Sequence, residues 1–227
     1  VGYGNQGAIG LSHVGNNTST VSNITIRSRD GKGKHGIALD RAWPGPNLFQ
    51  DIKIIGFDVG VRLTHWEYSV TFDRLVLENQ RKFGITNNKN AIAVHHLRSK
   101  NSVPIYKSSD PNGHAVLIDV VAEGGDPSVP AIVYEGGILV RQLKTSVYMT
   151  AIVDKNKKSN GGASGPKVKE YVSQRVNAPI TENKTSLNLP VETAPVYRNN
   201  APADVVVVPR KLPKGAPRDH TENIRKA

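Results

Sequence analysis

The sequence predicts an all-β chain wound as a parallel solenoid, a β-helix of about six to seven coils with an extended C-terminal tail. Three observations carry that prediction. Apolar pairs spaced by two residues recur through residues 1–153, each pair has an apolar residue three positions ahead of it, and Gly-aliphatic steps repeat in a second register of similar period. One turn of 22 to 24 residues cannot bury its own inward side chains. Stacking on its neighbours at about 4.8 Å closes the hydrogen-bond ladder and makes a continuous core.

The rows are Ile24/Ile26, Ile52/Ile54, Leu75/Leu77, Leu97/Ser99, Val120/Ala122 and Leu143/Thr145, separated by 28, 23, 22, 23 and 23 residues. Val21, Phe49, Phe72, Val94, Leu117 and Val140 stand three positions before them. The second register runs through Gly36-Ile37, Gly60-Val61 and Gly84-Ile85, then Pro104-Ile105, Ala131-Ile132 and Ala151-Ile152, and Gly7-Ala8-Ile9 is expected to open it. Gly, Asn and Asp between these steps supply the turns. Leucine-rich repeats share the length, but their L-x-x-L-x-L-x-x-N signature is absent, and a β-sandwich has no reason to hold a fixed 23-residue phase. The phase ends after Asp154. Residues 155–167 (KNKKSNGGASGPK) read as a loop, 177–200 as extended and Pro-punctuated, Val205–Val208 as a short strand, and Asp219–Ala227 as the opening of a helix.

Composition narrows the function classes. With 37% hydrophobic and 22% charged residues the chain sits near the globular average, and no run of about 18 uncharged apolar residues marks a membrane span. Val1-Gly2-Tyr3-Gly4 has neither an initiator Met nor a signal-peptide pattern, so the chain reads as an internal piece of something longer. The absence of Cys removes disulfides, thiolate ligands and a Cys nucleophile. Of the formal charge of +11, residues 154–227 carry 14 Lys/Arg against 7 Asp/Glu, leaving 16 against 12 for residues 1–153. These charges lie among Pro, Gly and Asn rather than interleaved with aromatics, which suits a solvated linker; neither nucleic acid nor membrane is an expected partner.

Residues at one repeat offset lie side by side on the outside of a stacked coil. Counted from Gly36, Gly60 and Gly84, the columns are Asp40/Thr64/Asn88, Arg41/His65/Lys89, Ala42/Trp66/Asn90 and Trp43/Glu67/Ala91. DRAWPGP (40–46) and THWEYS (64–69) are therefore neighbouring loops. Aromatic faces beside acids and amides suit a sugar, whose C–H face is apolar and whose rim is hydroxyl, so polysaccharide is the expected partner. Trp43, Trp66, Tyr68, Arg41 and His65 are the candidate substrate-binding residues. Glycoside hydrolysis needs two carboxylates, an acid and a base or nucleophile, and Glu67 and Asp40 are the candidate catalytic pair.

A satisfied structural loop is the competing reading, with Trp43 covering the solenoid edge, Glu67 paired with Arg41, and His65 bonded to a carbonyl. Asp73 and Glu78 read as a solvated strand face. No metal site is expected: there is no D-x-D-x-D pattern, and His95 and His96, adjacent on a strand, should point to opposite faces and serve a structural role. Calcium stays open only for β-elimination chemistry, where ligands come from separate coils. Nucleophile-elbow, phosphate-loop, dinucleotide and H-E-x-x-H motifs are absent.

The runs GNQGAIG (4–10), SNITIRS (22–28), WPGP (43–46), GFDVG (56–60), EYSVTF (67–72) and LRSKNSVP (97–104) resemble bacterial proteins of the pectate-lyase-like superfamily, near the glycoside hydrolase family 55 type. VKEYVS (168–173) and SLNLP (186–190) resemble the segment that crosses from a first β-helix to a second in such proteins. The resemblance implies a right-handed parallel β-helix from a secreted, carbohydrate-active protein, extracellular or periplasmic. The implied activity is glycoside hydrolysis of a β-glucan or related polysaccharide, or polyuronate lysis with calcium; no other cofactor is implied. It also implies that 1–153 are the coils, 154–200 a flexible or extended crossing segment, and 201–227 the start of a truncated second β-helix domain of the parent chain. No residue here matches the family's catalytic acid by motif. A non-catalytic carbohydrate-binding or structural module stays open beside the enzyme, since fold does not fix function.

Overall fold

The computed structural model describes residues 3–15, 17–156, 161–174 and 190–192. The chain divides into two compact units, Val1–Lys184 and Thr185–Ala227, and every described strand lies in the first. Chain order begins β1 (Ile9–Ser12), β2 (Ser19–Arg27), β3 (Gly33–Leu39), β4 (Asn47–Ile55) and β5 (Phe57–Leu63). It continues through β6 (Val70–Glu78), β7 (Phe83–Asn87), β8 (Ala91–Lys100), β9 (Tyr106–Ser108) and β10 (His114–Glu123). The last are β11 (Pro130–Tyr134), β12 (Ile138–Thr145), β13 (Thr150–Asp154), β14 (Gly162–Ala163) and β15 (Lys167–Val172).

Alternate strands enter two sheets, ordered β1-β3-β5-β7-β9-β11-β13-β14 and β15-β12-β10-β8-β6-β4-β2. All neighbours up to β12 and β13 pair in parallel, which makes a parallel β-solenoid of about six turns. The repeat fixes the register. Ile24, Ile52, Leu75, Leu97, Val120 and Leu143 are successive partners, as are Val21, Phe49, Phe72, Val94, Leu117 and Val140. Their side chains form the core, with Phe49 stacked on Phe72 at 4.9 Å. Each fully buried Leu, Ile or Phe contributes roughly 1.5–3 kcal/mol. On β2, the outermost strand of its sheet, Ile24 of the same column is 37% exposed.

The three-residue step between the two columns has a conformational cause. Inward residues of a strand are two apart, so a step of three requires a residue that breaks the alternation. That residue is left-handed in every row: Asn23 (φ 56°), Asp51 (56°), Arg74 (56°), His96 (55°), Asp119 (52°) and Gln142 (54°). Each long even-numbered strand is thus bent at one column.

In the other sheet Leu11, Ile37, Val61, Ile85, Tyr106, Ile132 and Ile152 are successive partners. The column therefore opens at Gly10-Leu11, not Gly7-Ala8-Ile9, and passes through Ile105-Tyr106, not Pro104-Ile105. Glycine precedes the first four aliphatics because the turns approach too closely for a side chain. A Cβ on Gly36 would stand 2.2 Å from Ile54 Cγ2 and 2.6 Å from the Gly60 carbonyl oxygen.

Two strands lie within the stretch expected to be loop or extended. β14 pairs antiparallel with β13 (Ile152 with Ala163) and β15 antiparallel with β12 (Val140 with Tyr171). Residues 157–160, 175–189 and 193–200 of the expected crossing segment, and all of 201–227, with the expected strand and helix there, lie outside the described residues.

Candidate functional site

The two aromatic loops leave equivalent points of successive turns. β3 and β5 end at the partners Leu39 and Leu63, and β4 and β6 begin at the partners Asn47 and Val70. Backbone bonds tie the loops together: Thr64 N–H donates to the Leu39 carbonyl and Asn47 N–H to the Ser69 carbonyl, both at 3.4 Å. DRAWPGP and THWEYS are therefore neighbours, as the repeat predicts. Trp43 and Tyr68 face each other with ring centroids 5.8 Å apart and planes at 36°. Trp66 stacks beside His65 at 6.1 Å. Trp43, Tyr68 and Trp66 are 50%, 44% and 65% exposed.

The backbone at the facing pair is unusual. Trp43 and Tyr68 are both left-handed, with φ of 66° and 61°, a conformation costing an L-residue about 1–2 kcal/mol. Asn90, on the next turn, holds one loop in place: its buried amide Nδ2 lies 2.9, 3.3 and 2.8 Å from the carbonyl oxygens of His65, Glu67 and Tyr68. Asn87 in turn clamps Asn90, donating Nδ2 to its carbonyl at 2.8 Å and accepting its N–H at 2.9 Å. In the other loop Asn47 Nδ2 donates to the Pro44 carbonyl.

The two candidate carboxylates have different surroundings. Asp40 Oδ1 accepts from Thr64 Oγ1 at 3.2 Å, and its Oδ2 is 3.2 Å from Arg62 Nη1. No motif marks Arg62; its signal is the outward position two residues before Thr64, in strand rather than loop. Glu67 Oε2 lies 3.6 Å from His65 Nδ1, which accepts the Glu67 backbone N–H at 3.3 Å. Accepting there places the ring proton on Nε2, so Nδ1 has none to give the carboxylate. The side chain nearest the Glu67 carboxylate is therefore the His65 imidazole, where pairing with Arg41 was the structural alternative; Arg41 is exposed.

A second polar cluster sits at the bend of β6, β8 and β10, and here two expectations are corrected. Asp73, expected on a solvated face, is only 7% exposed, with Arg74 Nη1 at 2.5 Å from its Oδ2. His95 and His96, expected on opposite faces, lie on one side with ring centroids 3.6 Å apart, because the left-handed φ of His96 cancels the strand alternation. Both reach Asp73 Oδ1, from His95 Nδ1 at 3.2 Å and His96 Nδ1 at 3.4 Å. Burial, followed by the charge of His96, holds the His95 pKa below its ordinary value. Glu78, the other acid of that expected face, pairs with Lys53 at 2.8 Å.

Compared with protein-family models, with curated proteins and with solved structures, the chain matches none.

Proposed function

We propose that this solenoid binds a polysaccharide across the loops 40–46 and 64–69. Trp43 and Tyr68 stack on sugar faces, Trp66 extends the platform, and Arg41, Asp40, Glu67 and His65 meet the hydroxyl rim. One observation carries the reading: two facing aromatic residues hold costly left-handed backbones while leaving about half of each side chain in water. A loop serving only as a cover would gain by burying those rings. The resemblance to the pectate-lyase-like superfamily, near the glycoside hydrolase family 55 type, supports the same ligand class, with a secreted bacterial setting and a second β-helix of the parent chain as partner.

Hydrolysis by Glu67 and Asp40 is the second reading, favoured by two partly exposed carboxylates on these same loops. Binding stands ahead of it. Both oxygens of Asp40 are engaged by Thr64 and Arg62, and His65 Nδ1 is not a donor to Glu67. The experiment is titration with laminarin, polygalacturonate and alginate, following tryptophan fluorescence and released ends in the same samples. We expect saturable quenching by one of them, weakened about tenfold (~1.4 kcal/mol) by Trp43→Ala, with no turnover. Reducing ends that vanish on Glu67→Gln would make the chain a hydrolase, and calcium-dependent unsaturated uronates a lyase. Silence in every channel would leave a structural module and overturn the proposal.

A further inference from the structure

We propose that His95, His96 and Asp73 form an open binding site for a divalent transition ion of borderline softness, such as Zn2+, on the outer side of the solenoid's bend. The donor set is two imidazoles and one carboxylate, which suits such an ion and not Ca2+ or Mg2+, whose sites are built of oxygen. The three ligand atoms all lie within 4.8 Å of one another. Ligands at about 2.0–2.1 Å from a tetrahedral zinc sit about 3.3 Å from each other. Asp73 Oδ1 stands 3.2 Å from His95 Nδ1 and 3.4 Å from His96 Nδ1. Those two separations match a tetrahedron's edges.

The surroundings have the form of a ligand's outer partners. His96 uses Nδ1 toward the centre and places Nε2 3.4 Å from Asp119 Oδ2, the carboxylate–imidazole arrangement that orients a ligating ring. Arg98 holds Asp119 at 2.8 Å. Arg74 takes Asp73 Oδ2, leaving Oδ1 to the histidines, and is itself neutralised by both oxygens of Asp51 at 2.6 and 2.9 Å. With neutral imidazoles, the carboxylates of Asp51, Asp73 and Asp119 outnumber the guanidiniums of Arg74 and Arg98 by one. Three protein donors leave a fourth position for water. The site depends on the bend, because only a left-handed residue brings consecutive side chains to one face. It shares no residue with the proposed saccharide surface.

The test is calorimetric titration of Zn2+ into the full chain without a polyhistidine tag, at neutral pH, with Ca2+ as control. We expect one equivalent bound at micromolar Kd or tighter, and no heat from Ca2+. His95→Gln and His96→Asn should each weaken binding at least about tenfold, and Asp119→Asn about tenfold, the loss seen when an outer partner is removed. Asn is chosen at His96 because it tolerates the left-handed backbone, so the bend survives. Co2+ in place of Zn2+ should give the visible absorption of a four-coordinate ion, lost in His95→Gln. Binding no tighter than millimolar, or binding unchanged in both histidine variants, would overturn the site and leave an ion-pair network.

Discussion

Single side chains decide how the aromatic loops are held. The side-chain amide of Asn90 is shared among three carbonyls, while its Oδ1 is buried without a hydrogen-bond partner among the described residues, so the site uses the Asn90 side chain as a donor only. Asn90→Ala should cost about 1–2 kcal/mol in urea denaturation, the penalty of losing the shared donor to part-buried carbonyls. Asn90→Asp should cost more, because it sets a carboxylate against those carbonyls at unchanged shape. A stability order with Asp above Ala would refute the donor role. His35 acts at the same scale. It is 4% exposed in β3, and burial first, then the charge of Arg62, lowers its pKa from the ordinary 6.5. Below 6.5 the unfolded chain takes up a proton that the folded chain refuses, so U binds more protons and stability rises with pH across that window. The contribution is complete above the unfolded value and is lost as pH falls toward the lowered folded one; His95 acts in the same sense. Urea midpoints measured from about pH 7 to pH 5 should fall, at no more than ~1.4 kcal/mol per pH unit per histidine, and His35→Gln should flatten the slope.

The bent strand is the unit in which sequence and structure meet most closely. Gln142 is exposed at the bend of β12 with φ 54°. Gln142→Val puts a β-branched residue into a left-handed backbone and should lower stability by about 1–2 kcal/mol. Gln142→Gly, free of the Cβ clash but richer in unfolded entropy, should stay within about 1 kcal/mol of the parent. Equal losses in the two variants would mean that backbone conformation does not govern the bend. The inward columns of the even-numbered strands were legible, because burial on one face imposes a period of two and stacking imposes the repeat. The bend was not: Asn23, Asp51 and Asp119 tolerate left-handed backbone, but Arg74, His96 and Gln142 give no such hint, and the three-residue step was the sole trace. Missing it put His95 and His96 on opposite faces. The second sheet was legible only in part, since its spacing varies from 20 (Ile132 to Ile152) to 26 (Leu11 to Ile37) as loops change length. The pairing of the aromatic loops followed from the repeat, whereas Arg62 escaped notice because it projects from β5 beside the loop.

A solenoid as a whole has an edge problem, because each terminal turn leaves a row of unpaired N–H and C=O groups ready to template another chain. At one end of this one the parallel repeat is stopped by reversal. β14 and β15 run antiparallel to β13 and β12, and the run KVKEYV turns Val168 and Tyr171 inward, each 7% exposed and opposite Leu143 and Val140, while Lys167 and Lys169 are exposed. Tyr171 adds a hydroxyl contact to Tyr134 at 2.5 Å, tying the cap to the other sheet through the core. An antiparallel strand cannot continue a parallel coil in phase, and its outward lysines discourage a further partner. Ending the chain after Asp154 should therefore bare the edges of β12 and β13, lower Tm, and cause concentration-dependent assembly in sedimentation velocity. Val168→Asp, which keeps the full length but places a charge beneath the cap, should move Tm in the same direction by several degrees, about 2–4 °C per kcal/mol for a chain of this size. A shortened chain that stayed monomeric at the parent Tm would show that the coils close themselves, and that the reversal at β15 is an ornament of the last turn, not its cap.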